Sequence, residues 1–351
     1  MAMKIDKLRS EIENFTFHNG KNGSRGFNHA LIQLFGLLGH GKSSFINTCL
    51  YVWEDGDFKN WAEAAAKDEG CTMTRLTYPL TGNITLVDNR GYAKLGSHES
   101  GEIFAQLGNL LPLGNAVEWS KGFGLVERIV RAESKIKHSD FIVPVFVYSV
   151  KMGVNPHEAK EIKSLLLTAA KVTGIYPLIV LTFKTNGSLT DTMAAFRDMG
   201  AEKIFAFENY TQEDCSKLRG RHEEVLKFLS EVTEEVLFRI NHSRDPEREM
   251  KERKQFVLNY VHDRDKQSQV DEMEKQRLRD KNEQMAQLKE HQEALERQKE
   301  RINREMVDEL WRKQEQFRRM NLADQARQEE ELKERRARSE RRNKWNRMFR
   351  Q

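Results

Sequence analysis

No glycine follows Gly220 and no proline follows Pro246 in this chain of 351 residues. These two residues are the main interrupters of regular backbone, glycine by its freedom and proline by its fixed φ and missing N–H. The roughly 100 residues beyond Pro246 are rich in Glu, Arg, Lys and Gln, a composition that favours one long helix. Charge divides the chain at the same place. Residues 1–243 hold 28 Lys+Arg and 29 Asp+Glu, whereas residues 244–351 hold 30 and 25. Half of the final segment is therefore charged, too much for it to bury a core of its own. The pattern predicts three parts: an N-terminal helix and linker over 1–27, a core-forming domain over 28–240, and a charged helical or coiled-coil tail over 241–351 with a basic end.

Between residues 28 and 240 apolar runs alternate with helix-like segments, the pattern of an α/β fold. Strands are expected at Ala30–Phe35, Arg75–Leu80, Ile84–Asp88, Phe141–Tyr148, Leu178–Phe183 and Lys203–Phe207. Thr81-Gly82-Asn83 is a tight-turn signal, so the second and third should form an antiparallel hairpin in a mostly parallel sheet. Helices should fill the intervals, the last of them over Gln212–Ile240. A short amphipathic segment (Ile5, Leu8, Ile12, Phe15) precedes the first strand. Cys49, Cys71 and Cys215 are too few and too scattered for a disulfide framework or a cysteine-rich zinc site. No apolar run reaches the ~18 residues of a membrane span, and the polar start lacks a secretory h-region, so a cytoplasmic, reducing location is expected. The net charge of +4 gives no global nucleic-acid footprint.

The most specific motif is GLLGHGKSS, residues Gly36, Leu37, Leu38, Gly39, His40, Gly41, Lys42, Ser43 and Ser44. It fits G-x-x-x-x-G-K-[ST] between an expected strand and an expected helix, which is the context of a phosphate-binding P-loop. There the glycines let successive backbone N–H groups point at phosphate oxygens at a helix N-terminus. Lys42 would meet the β- and γ-phosphates, and the Ser43 hydroxyl would enter the Mg²⁺ shell. Asp88-Asn89-Arg90-Gly91 follows the third strand. Asp88 is the candidate second metal residue, and the Gly91 N–H the candidate γ-phosphate contact of a nucleotide-state switch. Between these motifs Thr72 is the preferred candidate for a metal-closing threonine, with Thr74 the alternative.

Base recognition departs from the usual [NT]-K-x-D. The corresponding run is Phe183-Lys184-Thr185-Asn186, so Lys184 is kept but a neutral Asn186 stands where guanine is read by a carboxylate. A buried mismatch of that kind costs about 1–3 kcal/mol. Asn209 or Tyr210, after the last strand, is expected to touch the base. Hydrolysis is expected to be slow. Tyr92 occupies the position from which small GTPases often orient the attacking water, and bulky Leu38 crowds that side.

LFGLLGHGKSSFINT (34–48), LVDNRG (86–91) and ENYT (208–211) together resemble the GTP-binding domain of the interferon-induced protein 44 family, translation-factor-related P-loop GTPases broadly near septins and the immunity-associated nucleotide-binding proteins. The resemblance covers about residues 1–240. It implies a cytoplasmic, interferon-inducible antiviral or antiproliferative protein that binds GTP. The chain differs from that family in its guanine motif and its charged tail. Two alternatives stay open beside a nucleotide switch: a non-catalytic interaction protein, and a P-loop ATPase with a coiled-coil arm.

In the tail, Leu278, Met285, Leu288, Leu295, Ile302, Met306, Leu310 and Phe317 recur with a broken 3-4 spacing, interrupted by Lys281, Gln292, Lys299 and Lys313. That is a weak coiled-coil seam suited to self-association, with a lone helix or partial disorder as alternatives. From Glu334 onward arginines accumulate beside Trp345, Met348 and Phe349. This end suits an acidic protein, a membrane surface or RNA, or is a solvated helix end whose cations favour the dipole.

Overall fold

The computed structural model describes residues 2–20, 23–62, 74–92, 99–115, 123–242 and 245–348. Six strands form one sheet: β1 (His29–Phe35), β2 (Leu76–Pro79), β3 (Ile84–Asp88), β4 (Asp140–Ser149), β5 (Leu178–Thr182) and β6 (Ile204–Ala206). Their order is β2-β3-β1-β4-β5-β6. All pairings are parallel except that of β2 with β3, the expected hairpin. The central strands are buried at nearly every position, because a parallel sheet is covered on both faces. Pro144 is tolerated in central β4 because β5 first pairs at Val145, one residue beyond it.

Side-chain alternation along β4 divides the core. Val143, Val145 and Val147 enter one layer, and Phe146 and Tyr148 the other. The first layer is completed by α1 (Ala2–Glu13), α2 (Lys42–Glu54) and α7 (Arg219–Ile240). The second takes α3 (Glu99–Leu107), α4 (Phe123–Ala132), α5 (Pro156–Thr173) and α6 (Leu189–Asp198). α5 shows how the helices are bounded. Asn155 caps it by accepting from the Glu158 N–H at 2.8 Å, Pro156 starts it, and left-handed Gly174 closes it onto the Ala170 carbonyl.

Three expected boundaries move. α1 is part of the domain: Ile12 and Phe15 are buried in its core, and Arg9 donates to the Trp53 and Val52 carbonyls at 2.6 and 2.7 Å. The last helix of the domain starts at Arg219 rather than Gln212. The core does not end at residue 240 either. The final helix, α8 (Pro246–Met348), buries Met250, Val257 and Val261 in the second layer. Tyr260 lies edge-on to Phe104 of α3 at 4.9 Å, and Lys254 pairs with Glu133 at 2.8 Å. Spacings of 7 and 4 put those three apolar residues on one helical face, a stripe hidden in the sequence among charged neighbours. The compact unit accordingly runs to Gln269, and Val270–Gln351 forms a second.

The second unit is helical through Met348, so the disordered alternative for the described tail does not hold. Its eight seam residues are all exposed. Pairs such as Arg297–Glu293 (3.2 Å) and Lys313–Glu309 (2.9 Å) lie four residues apart, each worth about 0.2–0.5 kcal/mol to the helix. Among the described residues no helix is long and apolar enough to cross a membrane.

A fragment ending at residue 243 should be less stable than one ending at 269 by about 4 kcal/mol, from the lost burial of Met250, Val257 and Val261. That corresponds to a melting point lower by about 10 °C. Equal melting of the two fragments in calorimetry would return the domain boundary to residue 240.

Candidate functional site

The glycine-rich loop leaves β1 where a side chain has no room. Gly36 has φ +146°, and a Cβ there would collide with the Val147 carbonyl oxygen. The loop therefore turns tightly over the end of the sheet and delivers Lys42 to the first position of α2. Lys42 is only 7% exposed. Its Nζ donates to the carbonyls of Gly36 and Leu37 at 3.2 and 2.9 Å. Burial pushes its pKa down to about 8, with Asp88 pulling the other way. An ammonium desolvated to this degree is a strong attractor for an anion.

Ser43, the next residue, donates from Oγ to Asp88 Oδ2 at 2.6 Å. Asp88 ends β3, opposite Leu34 of β1, so sheet register brings together residues 45 positions apart. Gly91 completes the cluster. A Cβ on it would lie 2.6 Å from Lys42 Nζ and 2.9 Å from Leu38 Cδ2, so a side chain here would displace the lysine tip from this segment. The Leu38 N–H donates to the Tyr92 carbonyl at 3.1 Å, tying the two loops together. Tyr92 itself is buried, and its hydroxyl has no hydrogen-bond partner among the described residues. Its side chain is thus withdrawn from the surface of the site.

His40 turns inward. Its Nδ1 accepts from the Ser149 N–H at 3.2 Å and its ring stands edge-on to Tyr148. Burial and the neighbouring Lys42 push its pKa down to about 4, so the ring is neutral at physiological pH. The loop at Gly39 and Gly41 is left-handed, while Leu37, Leu38, Ser43 and Ser44 are half-buried. Thr72 lies outside the described residues; Thr74 lies just before β2.

The residues expected to meet a base are less concentrated. Lys184 Nζ is held by the Glu224 carboxylate of α7 at 2.7 and 2.9 Å. Asn186 is exposed, with Oδ1 3.1 Å from the Thr185 hydroxyl. Neither contacts the Lys42–Asp88 cluster. Asn209 reaches the glycine-rich loop, placing Nδ2 3.4 Å from the Gly41 carbonyl, and its Oδ1 is buried without a partner among the described residues. The expectation for Tyr210 is corrected. Its ring is 1% exposed, its hydroxyl lies 2.9 Å from His222 Nδ1, and its N–H donates to Thr48. The aromatic ring is worth more in the core than over a solvated base.

Two participants were missed in the sequence. Thr182 donates to the His40 carbonyl at 2.8 Å and so ties β5 to the glycine-rich loop. Arg75 is 1% exposed and donates to Asn89 Oδ1 (3.0 Å), Gln33 Oε1 (3.2 Å), the Gln106 carbonyl (3.0 Å) and the Leu111 carbonyl. Asn89 in turn donates to Gln33 and the Leu34 carbonyl. Burial pushes the Arg75 pKa down to about 9. The signal available in the sequence was Gln33, a polar residue inside an otherwise apolar central strand, which demanded a buried partner.

No protein-family model matches the chain, and a search of curated proteins finds no match either.

Arg75→Ala should lower stability by about 3 kcal/mol or more, because it takes the donor from the buried Asn89 Oδ1 and the Leu111 carbonyl and leaves Gln33 and the Gln106 carbonyl with one donor each. Arg75→Lys should recover little, since one ammonium cannot span the same acceptors as a planar fork. Urea denaturation of the three proteins measures both effects; a neutral alanine variant would show the network to be dispensable.

Proposed function

We propose that the protein binds Mg·GTP in a P-loop and acts as a nucleotide switch with slow or partner-dependent hydrolysis. The observation that carries this reading is the Ser43–Asp88 hydrogen bond of 2.6 Å beside Lys42 and beneath Gly91. A hydroxyl and a carboxylate brought together at the foot of a glycine-rich loop are the donor set that a hard, oxygen-seeking Mg²⁺ takes alongside phosphate. Ser43 and Asp88 would hold the ion, with Thr72 the candidate third residue. When bound, the ion neutralises charge on the phosphates.

The chain's own residues do the rest. Lys42 exchanges two neutral carbonyls for a phosphate oxygen, a charge-assisted bond of about twice the strength. The N–H groups from Gly36 to Ser44 cradle the phosphates at the start of α2. Gly91 lies against Lys42, so an added γ-phosphate meets the 88–92 segment directly, and Arg75 couples that segment through Asn89 to β1 and α3. Slow hydrolysis follows from Tyr92, whose buried hydroxyl leaves no carboxamide to orient water at that position. The resemblance to the interferon-induced protein 44 family supports a cytoplasmic, innate-immune setting. The exposed seam of α8 suits weak self-association, and its arginine-rich end an acidic protein, a membrane surface or RNA. A second reading, nucleotide binding without guanine selection and without turnover, is favoured by the neutral Asn186.

Lys42→Ala should abolish Mg·GTP binding in titration calorimetry; equal binding by the variant rejects the P-loop assignment. The affinity of the wild type should also depend on pH with a definite sign. Lys42 titrates near 8 when free, and a bound anion raises that value. Binding should therefore be flat from pH 7 to about 8 and weaken above it, by up to tenfold per pH unit. An affinity that strengthens between pH 8 and 9 would remove Lys42 from the contact.

A further inference from the structure

We propose that Glu208, not Asn186, reads the guanine base, an assignment that rests on the nucleotide-binding reading above. Guanine presents two donors side by side on its Watson–Crick edge, N1–H and the N2 amino group. A single carboxylate accepts from both, whereas a carboxamide offers one acceptor and opposes the second donor with its own NH₂. The base-reading turn after β5 lacks a carboxylate of its own, because its last residue is Asn186.

The structure supplies one from the next loop. Glu208 follows β6, and its Oε2 accepts from the Thr185 N–H at 3.2 Å and lies 2.8 Å from the Thr185 hydroxyl. Thr185 is the residue between Lys184 and Asn186, so the acid is pinned to the centre of the degenerate motif. Backbone bonds hold the two loops in this register: the Phe207 N–H donates to the Leu181 carbonyl at 2.7 Å, and the Lys184 N–H to the Phe207 carbonyl at 3.3 Å. Only one Glu208 oxygen is used. Oε1 makes no hydrogen bond among the described residues, and the side chain is half-buried, within reach of a ligand.

A second observation lies beside it. Asn209, the next residue, rests its Nδ2 against the Gly41 carbonyl at the foot of the phosphate loop and keeps a buried Oδ1 without a partner. A buried acceptor left unpaired costs about 1–3 kcal/mol, so it marks a place where a ligand donor belongs. Two adjacent residues thus touch both parts of the site, Asn209 the glycine-rich loop and Glu208 the Lys184–Asn186 turn. Lys184, anchored by Glu224, flanks the same turn.

The test is a competition series on the full-length protein with GTP, ITP, XTP and ATP. ITP lacks the N2 amino group, XTP replaces it with a carbonyl, and ATP presents a ring-nitrogen acceptor in place of N1–H. The wild type should prefer GTP over ITP by about tenfold and reject XTP and ATP more strongly, the loss of one good hydrogen bond being about tenfold. Glu208→Gln keeps an acceptor for Thr185, so it should fold normally in a thermal melt. It should weaken GTP by tenfold or more and improve XTP relative to GTP, its NH₂ now facing the xanthine carbonyl. Asn186→Asp should leave the ranking unchanged.

Unchanged GTP:ITP:XTP ratios in Glu208→Gln overturn the assignment, as does a ranking that moves with Asn186→Asp alone. Should the glutamine variant fail to melt cooperatively, the wild type still decides: XTP bound as tightly as GTP excludes a carboxylate at the base. If the wild type binds none of the four nucleotides, the P-loop reading itself falls, a result distinct from binding without discrimination.

Discussion

A lysine ammonium that is 7% exposed is the constraint around which the first unit is arranged. Desolvating a cation is costly unless oxygen dipoles replace the lost water. Here the replacement is backbone: the carbonyls of Gly36 and Leu37 curl onto Lys42 where Gly36 adopts a φ unfavourable to other residues, and Gly91 lies against the lysine tip. The glycines, the lysine and the end of β3 therefore form one object. Asp88 and Ser43 stand beside the cation in a geometry that sheet register sets.

The parts of the fold that were legible in the sequence are those in which local pattern and burial agree. Central β1, β3, β4 and β5 are mostly apolar runs, and Thr81-Gly82-Asn83 marks the antiparallel β2–β3 turn. Boundaries failed where tertiary contacts override local composition. Gln212–Leu218 has helical composition, yet this segment serves the Tyr210 corner, where the Leu218 N–H and carbonyl both meet the tyrosine hydroxyl. From sequence the start of α8 reads as a solvated arm, because Met250, Val257 and Val261 are outnumbered by charged neighbours; three residues suffice when they share a face.

At the candidate site, the glycine-rich loop was legible because its motif is contiguous and its partner, Asp88, ends a recognisable strand. The surroundings of Lys184 and Asn209 were not. Their groups come from three separate loops, and the contacts that define them, Thr182 to His40, Thr185 to Glu208 and Asn209 to Gly41, join residues 23 to 168 positions apart. Arg75 was hidden for another reason: a single arginine at a strand start resembles any surface charge until Gln33 and Asn89 are seen to need it.

The burial of Val261 against Gly101 and Leu125 also bears on how the chain is made. Synthesis runs from the N-terminus, and domains tend to close as they emerge. Here the second core layer waits for Tyr260 and Val261, about 160 residues after Gly101, so the face of α3 that α8 covers stays open in the nascent chain until that segment has been made.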